Sequence, residues 1–404
     1  MGFGKSSRTI FAFTIVFVGI TSAVPCFAQM PPPAGKDVFT SPYFGADDVN
    51  SFMQDLADVH NNPVQVSDHA NARCEAAYGK LFAKPNIRWS IFWGYSNDSD
   101  GHTEDLSARH LFESQLTKPC ITGLALCEFS AQAGKPGEYF KTLWNRQRQP
   151  VTVHLRLYHS SVTSDVAQNE GLFRAQQLAQ SAFVEAEFLK ALNTDDVVFY
   201  EGHARHGSGP GFRPLTEHSK QWWLATLFQP MINNVLKTLV GSSNDVQTLI
   251  PQAPGLIGLF VCDGEAYYGE ELARATHNQT ALLLSRETAQ VDDDSRTTYA
   301  ASNAILAQAC EDEFQTQLNV AIRTIYYYNE KGIPKDLTTL TPHLFDFFER
   351  EHLHSQNQIK MLLDERRLHE GVQKVDFIKD PKGHIRTYAA ADESKEKVDE
   401  TPKN

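Results

Sequence analysis

The chain has 404 residues, of which 41% are hydrophobic and 21% charged, with 25 phenylalanines. That composition sustains a sizeable core and excludes global disorder, and the length suits two or three domains or one large domain with additions. A formal charge of −12 argues against nucleic-acid binding, which depends on phosphate neutralisation by Lys and Arg.

Residues 1–28 read as an export signal. Lys5 and Arg8 precede an apolar run, Ile10 to Val24, of about fifteen residues, short for a bilayer span, and Cys26 and Ala28 offer a cleavage site after Ala28. The expected mature protein carries no integral membrane span and is exported, periplasmic or secreted, with a formal charge of −14 once Lys5 and Arg8 are gone. It keeps five cysteines, Cys74, Cys120, Cys127, Cys262 and Cys310, so an oxidising compartment leaves at least one thiol outside a disulfide.

Residues 29–85 form an N-terminal segment with a Pro-rich lead-in and helical patterns at Val49–Val59 and His69–Phe82. A strand begins near Ile87 and runs to Tyr95, a turn-rich loop follows, and a helix is expected over Glu104–Leu116, then short strands at 121–130 and 137–145. Val151–Tyr158 alternates as a half-buried strand does. Leu172, Ala175, Ala179, Ala182, Ala186 and Leu189 then recur at helical spacing within one helix at about 168–193.

Val197–Tyr200, Leu256–Val261 and Ala281–Leu284 are short continuous apolar runs, the pattern of strands buried on both faces. Helical stretches separate them: Gln221–Leu239, with Trp222, Trp223 and a kink at Pro230, and residues 268–275. Strand–helix–strand repetition predicts an α/β fold on a mainly parallel sheet, whose ligands bind at the carboxyl ends of the strands. His203 and Cys262 fall at two such ends. Beyond the α/β domain, set at 86–300, the pattern predicts a helical C-terminal region over 301–390, with helices at 301–329 and 342–370 and a hairpin at 372–388 turning at Asp380–Gly383; the charged tail 391–404 is expected to be disordered.

A cysteine nucleophile needs exposure at a fixed place, a proton-handling partner and donors for a developing oxyanion. Cys262 ends an apolar strand and is followed by Asp263-Gly264, which permits a tight turn, and a histidine on the next parallel strand can reach the same substrate carbonyl. The phrases Val197-Val-Phe-Tyr-Glu-Gly-His203-Ala204 and Leu256-Ile-Gly-Leu-Phe-Val-Cys262-Asp-Gly264 resemble the apolar-strand-then-Gly-His and apolar-strand-then-Cys-x-Gly elements of the caspase, metacaspase, gingipain and separase superfamily. His precedes Cys, as in that superfamily. The resemblance covers roughly 87–290 and implies a caspase-like α/β/α sandwich. It further implies an endopeptidase needing no cofactor and acting on protein or peptide substrates, with Cys262 as nucleophile, His203 as acid/base and the backbone amides of Ala204 and Cys262 as the oxyanion site. Ala204 stands where the superfamily usually has Gly, and Arg205–Phe212 follows no caspase pattern, which marks a divergent branch.

His206 offers an alternative histidine, and His203-x-x-His206 with Asp263 or His218 is half of a metal site, the basis of a metal-dependent hydrolase reading. A non-catalytic exported binding protein on the same scaffold is the other alternative. Asp292, Asp293 and Asp294 follow the third buried strand, where the superfamily builds its specificity pocket, and suit a basic substrate residue. With Cys262 set aside as nucleophile, the other four allow three pairings; Cys120/Cys127 as a short disulfide loop and Cys74/Cys310 as a long one is a guess among them, and the sequence leaves the connectivity open.

Overall fold

The computed structural model describes residues 45–62, 68–96, 101–204, 210–214, 253–286, 291–322, 341–349, 375–379 and 385–389. Along the chain they form α1 (Ala46–Asn61), α2 (Asp68–Leu81), β1 (Asn86–Trp93), α3 (Asp105–Leu116), β2 (Ser130–Ala131), β3 (Glu138–Trp144), β4 (Pro150–His159), α4 (Val166–Glu170) and α5 (Arg174–Thr194). There follow β5 (Val197–Glu201), β6 (Leu256–Phe260), α6 (Gly264–Ala275), β7 (Ala281–Leu284), α7 (Val291–Leu306), α8 (Glu311–Ile322), β8 (His343–Phe345), β9 (Val375–Lys379) and β10 (Ile385–Ala389).

An eight-stranded sheet in the order β2-β3-β4-β1-β5-β6-β7-β8 organises the molecule. Strands β4, β1, β5, β6 and β7 run parallel, while β2, β3 and β8 pair antiparallel at its two margins. Alternation along each strand decides which side chain meets which layer. Ile87, Trp89, Ile91 and Trp93 of β1, with Val197 and Phe199 of β5 and Leu256 and Phe260 of β6, face the core shared with α1, α2, α3, α7 and α8. Phe92, Val198, Tyr200, Ile257 and Leu259 face the opposite core, closed by Val184 and Phe188 of α5 and Tyr268 and Leu272 of α6. Helices thus flank a mostly parallel sheet on both faces. Each large side chain buried this way stabilises the fold by roughly 1.5–3 kcal/mol relative to exposure.

Gly258 sits in register with Phe199. A Cβ at Gly258 would lie 2.6 Å from the Phe199 ring, so the missing side chain is what lets that ring cross the sheet and meet Trp89 and Phe260 edge-on.

Several expected elements differ in detail. The segment 121–130 is a series of turns, with only Ser130–Ala131 pairing as β2. The single helix expected at 168–193 is two, because the chain turns at Gly171, whose N–H donates to Gln168 O at 3.3 Å, and restarts at Arg174. The helix expected at 301–329 begins ten residues earlier as α7 and stops at Leu306. Its stop is a Schellman turn: Gln308 takes φ 54°, Gln308 N–H donates to Ile305 O at 3.0 Å and Ala309 N–H to Ala304 O at 2.8 Å. Residues 343–345, expected to be helical, are β8, so the C-terminal region contributes a strand to the main sheet. The terminal hairpin is present as β9 and β10, Val375–Lys379 against Ile385–Ala389. The leader 1–28, the Trp222/Trp223 helix with Pro230 and the tail 391–404 lie outside the described residues. Among the described residues no helix is long and apolar enough to cross a membrane.

Candidate active site at the carboxyl edge of the sheet

Across the centre of the sheet, His159 of β4, Trp93 of β1, Glu201 of β5 and Phe260 of β6 lie in one row of partners at the carboxyl ends of their strands. Past this row the backbones leave the sheet together. Gly202 N–H still donates to Phe260 O at 3.1 Å, so β5 and β6 stay side by side one residue beyond Glu201. His203 and Cys262 each come two residues after Glu201 and Phe260, the last paired residues of these neighbouring parallel strands. Both are half-buried.

The exit of β5 is tightly built. Gly202 takes φ 144°, and a Cβ there would lie 2.8 Å from the Tyr200 hydroxyl and 3.2 Å from Gly94 Cα, so only glycine fits. The Tyr200 hydroxyl lies 3.2 Å from His203 O and 3.4 Å from Gly211 O and accepts the Gly211 N–H at 2.7 Å. Gly211 N–H also reaches His203 O at 3.3 Å, while Gly211 O accepts Tyr95 N–H at 2.7 Å. Ala204 is buried, and its carbonyl accepts the Tyr268 hydroxyl at 2.6 Å.

The exit of β6 is a strand–turn–helix. Cys262 packs against the apolar layer between the sheet and α5 and α6. Buried Asp263 adopts φ 56°, a left-handed conformation uncommon outside glycine, and α6 starts at Gly264. The Glu265 N–H donates to Ser285 O at 2.9 Å, and its carboxylate pairs with Arg286 at 3.3 Å, which ties the start of α6 to the end of β7.

Beneath the row, the Glu201 carboxylate is buried and accepts hydroxyl donors from Ser295 at 2.5 Å and Thr298 at 2.6 Å on α7. Asp294, the neighbour of Ser295, is buried within this helix. The backbone of Asp292 and Asp293 belongs to the first turn of α7, and their side chains lie outside the described residues, as do His206 and His218. The structure therefore brings His203, Ala204, Cys262 and Asp263 to one edge and places Asp294 in the helix packed below it. Among the described residues no group of three or more His, Cys, Asp or Glu side chains is arranged to hold a metal ion.

The other described cysteines form two pairs at disulfide distance, Cys74–Cys310 and Cys120–Cys127, with Cα separations of 5.4 and 5.1 Å. Cys262 is the described cysteine outside them.

Sequence reasoning passed over a second polar cluster, at the end of β4. Asp105 at the start of α3 accepts Ser160 N–H at 2.9 Å, Ser161 N–H at 2.7 Å and the Ser161 hydroxyl at 2.6 Å. Burial outweighs these donors and pushes the Asp105 carboxyl up to about 7. His159 Nδ1 meets Ser161 O at 2.9 Å, and burial, helped by the nearby Arg109 charge, pushes the imidazole down to about 3. Its only sequence signal is the phrase His-Ser-Ser at a strand end. The roles of Tyr200 and Tyr268 also went unread, since both act on backbone carbonyls that only folding brings near.

Comparison with protein-family models, curated proteins and solved structures finds no match to the chain.

Proposed function

We propose that the chain is an exported caspase-like cysteine endopeptidase, with Cys262 as nucleophile and His203 as acid/base. One observation carries the reading: the sole described cysteine outside a disulfide and a histidine leave adjacent parallel strands at the same register level, at the sheet edge where α/β folds bind ligands. The two disulfides favour an oxidising compartment, in keeping with the export signal read at residues 1–28.

In this mechanism the Cys262 thiol gives its proton to His203, and the thiolate adds to the scissile carbonyl carbon. The carbonyl oxygen becomes an oxyanion facing the backbone N–H groups of Ala204 and Cys262. Collapse expels the amine, which takes the proton from His203, and leaves a thioester on Cys262. Water, giving a proton to His203, then attacks the thioester and releases the carboxylic acid, and the proton returns to Cys262. Asp292 and Asp293 are the acidic residues this reading offers to a basic residue at the cleaved bond, since Asp294 is buried in α7.

The test is a positional-scanning peptide library on the purified mature protein, with Cys262→Ala and His203→Ala beside it. Both replacements are expected to lower hydrolysis by at least about 10³-fold, as removal of a catalytic-unit member does. Cys262→Ala is expected to abolish labelling by iodoacetamide under non-reducing conditions. Labelling that persists in Cys262→Ala sinks the assignment. An inert wild type with a freely alkylated Cys262 favours the binding-protein alternative.

A further inference from the structure

We propose that Tyr200 and Tyr268 are positioning residues of this site: their hydroxyls hold the two successive peptide groups after His203 and thereby aim the oxyanion donor. The proposal rests on the peptidase reading. The peptide that joins His203 to Ala204 carries both groups of interest, the His203 carbonyl and the Ala204 N–H. Its carbonyl is engaged by the Tyr200 hydroxyl at 3.2 Å and the Gly211 N–H at 3.3 Å. A trans peptide is planar, with C=O and N–H opposed, so holding the carbonyl toward Tyr200 directs the Ala204 N–H away from it. Hydrogen bonding to the carbonyl also strengthens the N–H as a donor, since bonds in a chain polarise one another.

The next carbonyl, that of Ala204, accepts the Tyr268 hydroxyl at 2.6 Å. Tyr268 lies in the first turns of α6, the helix that begins two residues after Cys262. The bond therefore couples the exit of the histidine strand to the helix that follows the cysteine. Tyr200 and Tyr268 belong to one buried apolar layer, so neither hydroxyl is held in place by solvent. A buried phenol needs a partner in any case. These particular partners govern how the oxyanion is met.

The experiment compares full-length Tyr200→Phe, Tyr268→Phe and the double variant with wild type. Tyr78→Phe serves as control, because it deletes a buried hydroxyl bonded to Ala309 O on the opposite face. Four quantities are read: kcat, KM, the rate of Cys262 alkylation by iodoacetamide, and the inhibition constant of a peptide aldehyde, whose hemithioacetal oxygen occupies the oxyanion position.

Loosening the orientation of one oxyanion donor is expected to lower kcat and weaken the aldehyde by about 10-fold in Tyr200→Phe, less than outright loss of a donor costs. KM and alkylation are expected to stay within about twofold, because neither uses the oxyanion donors. Tyr268→Phe is expected to move the same two quantities, and Tyr78→Phe neither. If Tyr200→Phe does not fold, Tyr268→Phe alone decides. Unchanged kcat and aldehyde affinity in a folded variant overturns the proposal, as does a parallel loss of alkylation and KM. Loss of all turnover in wild type overturns the peptidase reading as well, which separates the two failures.

Discussion

Burial acts in opposite directions on His159 and Asp105, which meet through Ser161 at the end of β4. His159 stays neutral in the fold down to about 3, whereas an unfolded histidine binds a proton near 6.5. Its stabilisation is therefore complete above pH ~6.5 and is lost as pH falls through that window toward 3. Asp105 keeps its proton in the fold up to about 7, while an unfolded aspartate releases it near 3.9. Its contribution is complete below pH ~3.9 and is lost as pH rises toward 7. Between roughly pH 4 and 6.5 the two slopes oppose each other, each worth on the order of a few kcal/mol. Replacing one partner is expected to uncover the other. Asp105→Asn should gain stability relative to wild type as pH rises from 4 to 6.5, and His159→Gln should lose it over the same range. Urea unfolding at four pH values measures both, and difference curves that stay flat would contradict the assignment.

The strands that carry the candidate site were legible because their signals are local. Val197–Tyr200 and Leu256–Val261 are continuous apolar runs that end at Gly-His and Cys-Asp-Gly, and a strand buried on both faces needs little else to be read. What escaped depends on distant partners. β8 is three residues long and exists because it pairs with β7, some sixty residues earlier. Asp105 belongs to a readable helix, but its carboxyl matters through Ser160 and Ser161, which lie 55 and 56 residues on. The split between α4 and α5 reflects one glycine inside an otherwise helical period. Gly258 shows the same limit within a strand. It interrupts an apolar run without visible reason until Phe199 is placed against it. Gly258→Ala is expected to destabilise the fold by about 1–3 kcal/mol through overpacking, because the added methyl meets the Phe199 ring at 2.6 Å. Phe199→Leu in the same chain should recover part of that loss. A chemical-denaturation double-mutant cycle measures the coupling, and strictly additive effects would show that the ring and the methyl do not compete.

At the scale of the whole molecule, the segments on either side of the α/β region are bound into its core. Val49, Phe52 and Leu56 of α1, Tyr78 of α2 and Phe82 just after it pack with Phe314 and Leu318 of α8 and with the β1 and β4 side chains in one apolar cluster. Tyr78 donates to Ala309 O, and Arg73 and Arg146 add ion pairs to Glu311 and Glu75 around the same seam. Cys74–Cys310 crosses this seam covalently at a sequence separation of 236, with both cysteines buried. Cross-linking so long a loop removes much conformational freedom from the unfolded chain, which in the entropic account stabilises the native state by about 2–5 kcal/mol. Cys74→Ser with Cys310→Ser is therefore expected to lower the unfolding free energy by about that amount in urea denaturation, with a steeper slope because the unfolded chain without the bridge exposes more surface. Cys120→Ser with Cys127→Ser, closing a sequence separation of only 7, should cost distinctly less. Because the long bridge anchors α2 to the α7–α8 junction, and α7 in turn holds the Glu201 carboxylate under the site, its loss is also expected to reach the carboxyl edge. Hydrogen exchange at the amides of β5 and β6 reads that coupling. Protection there that is indifferent to the long bridge, while α2 and α8 open, would show that the seam and the site edge unfold independently.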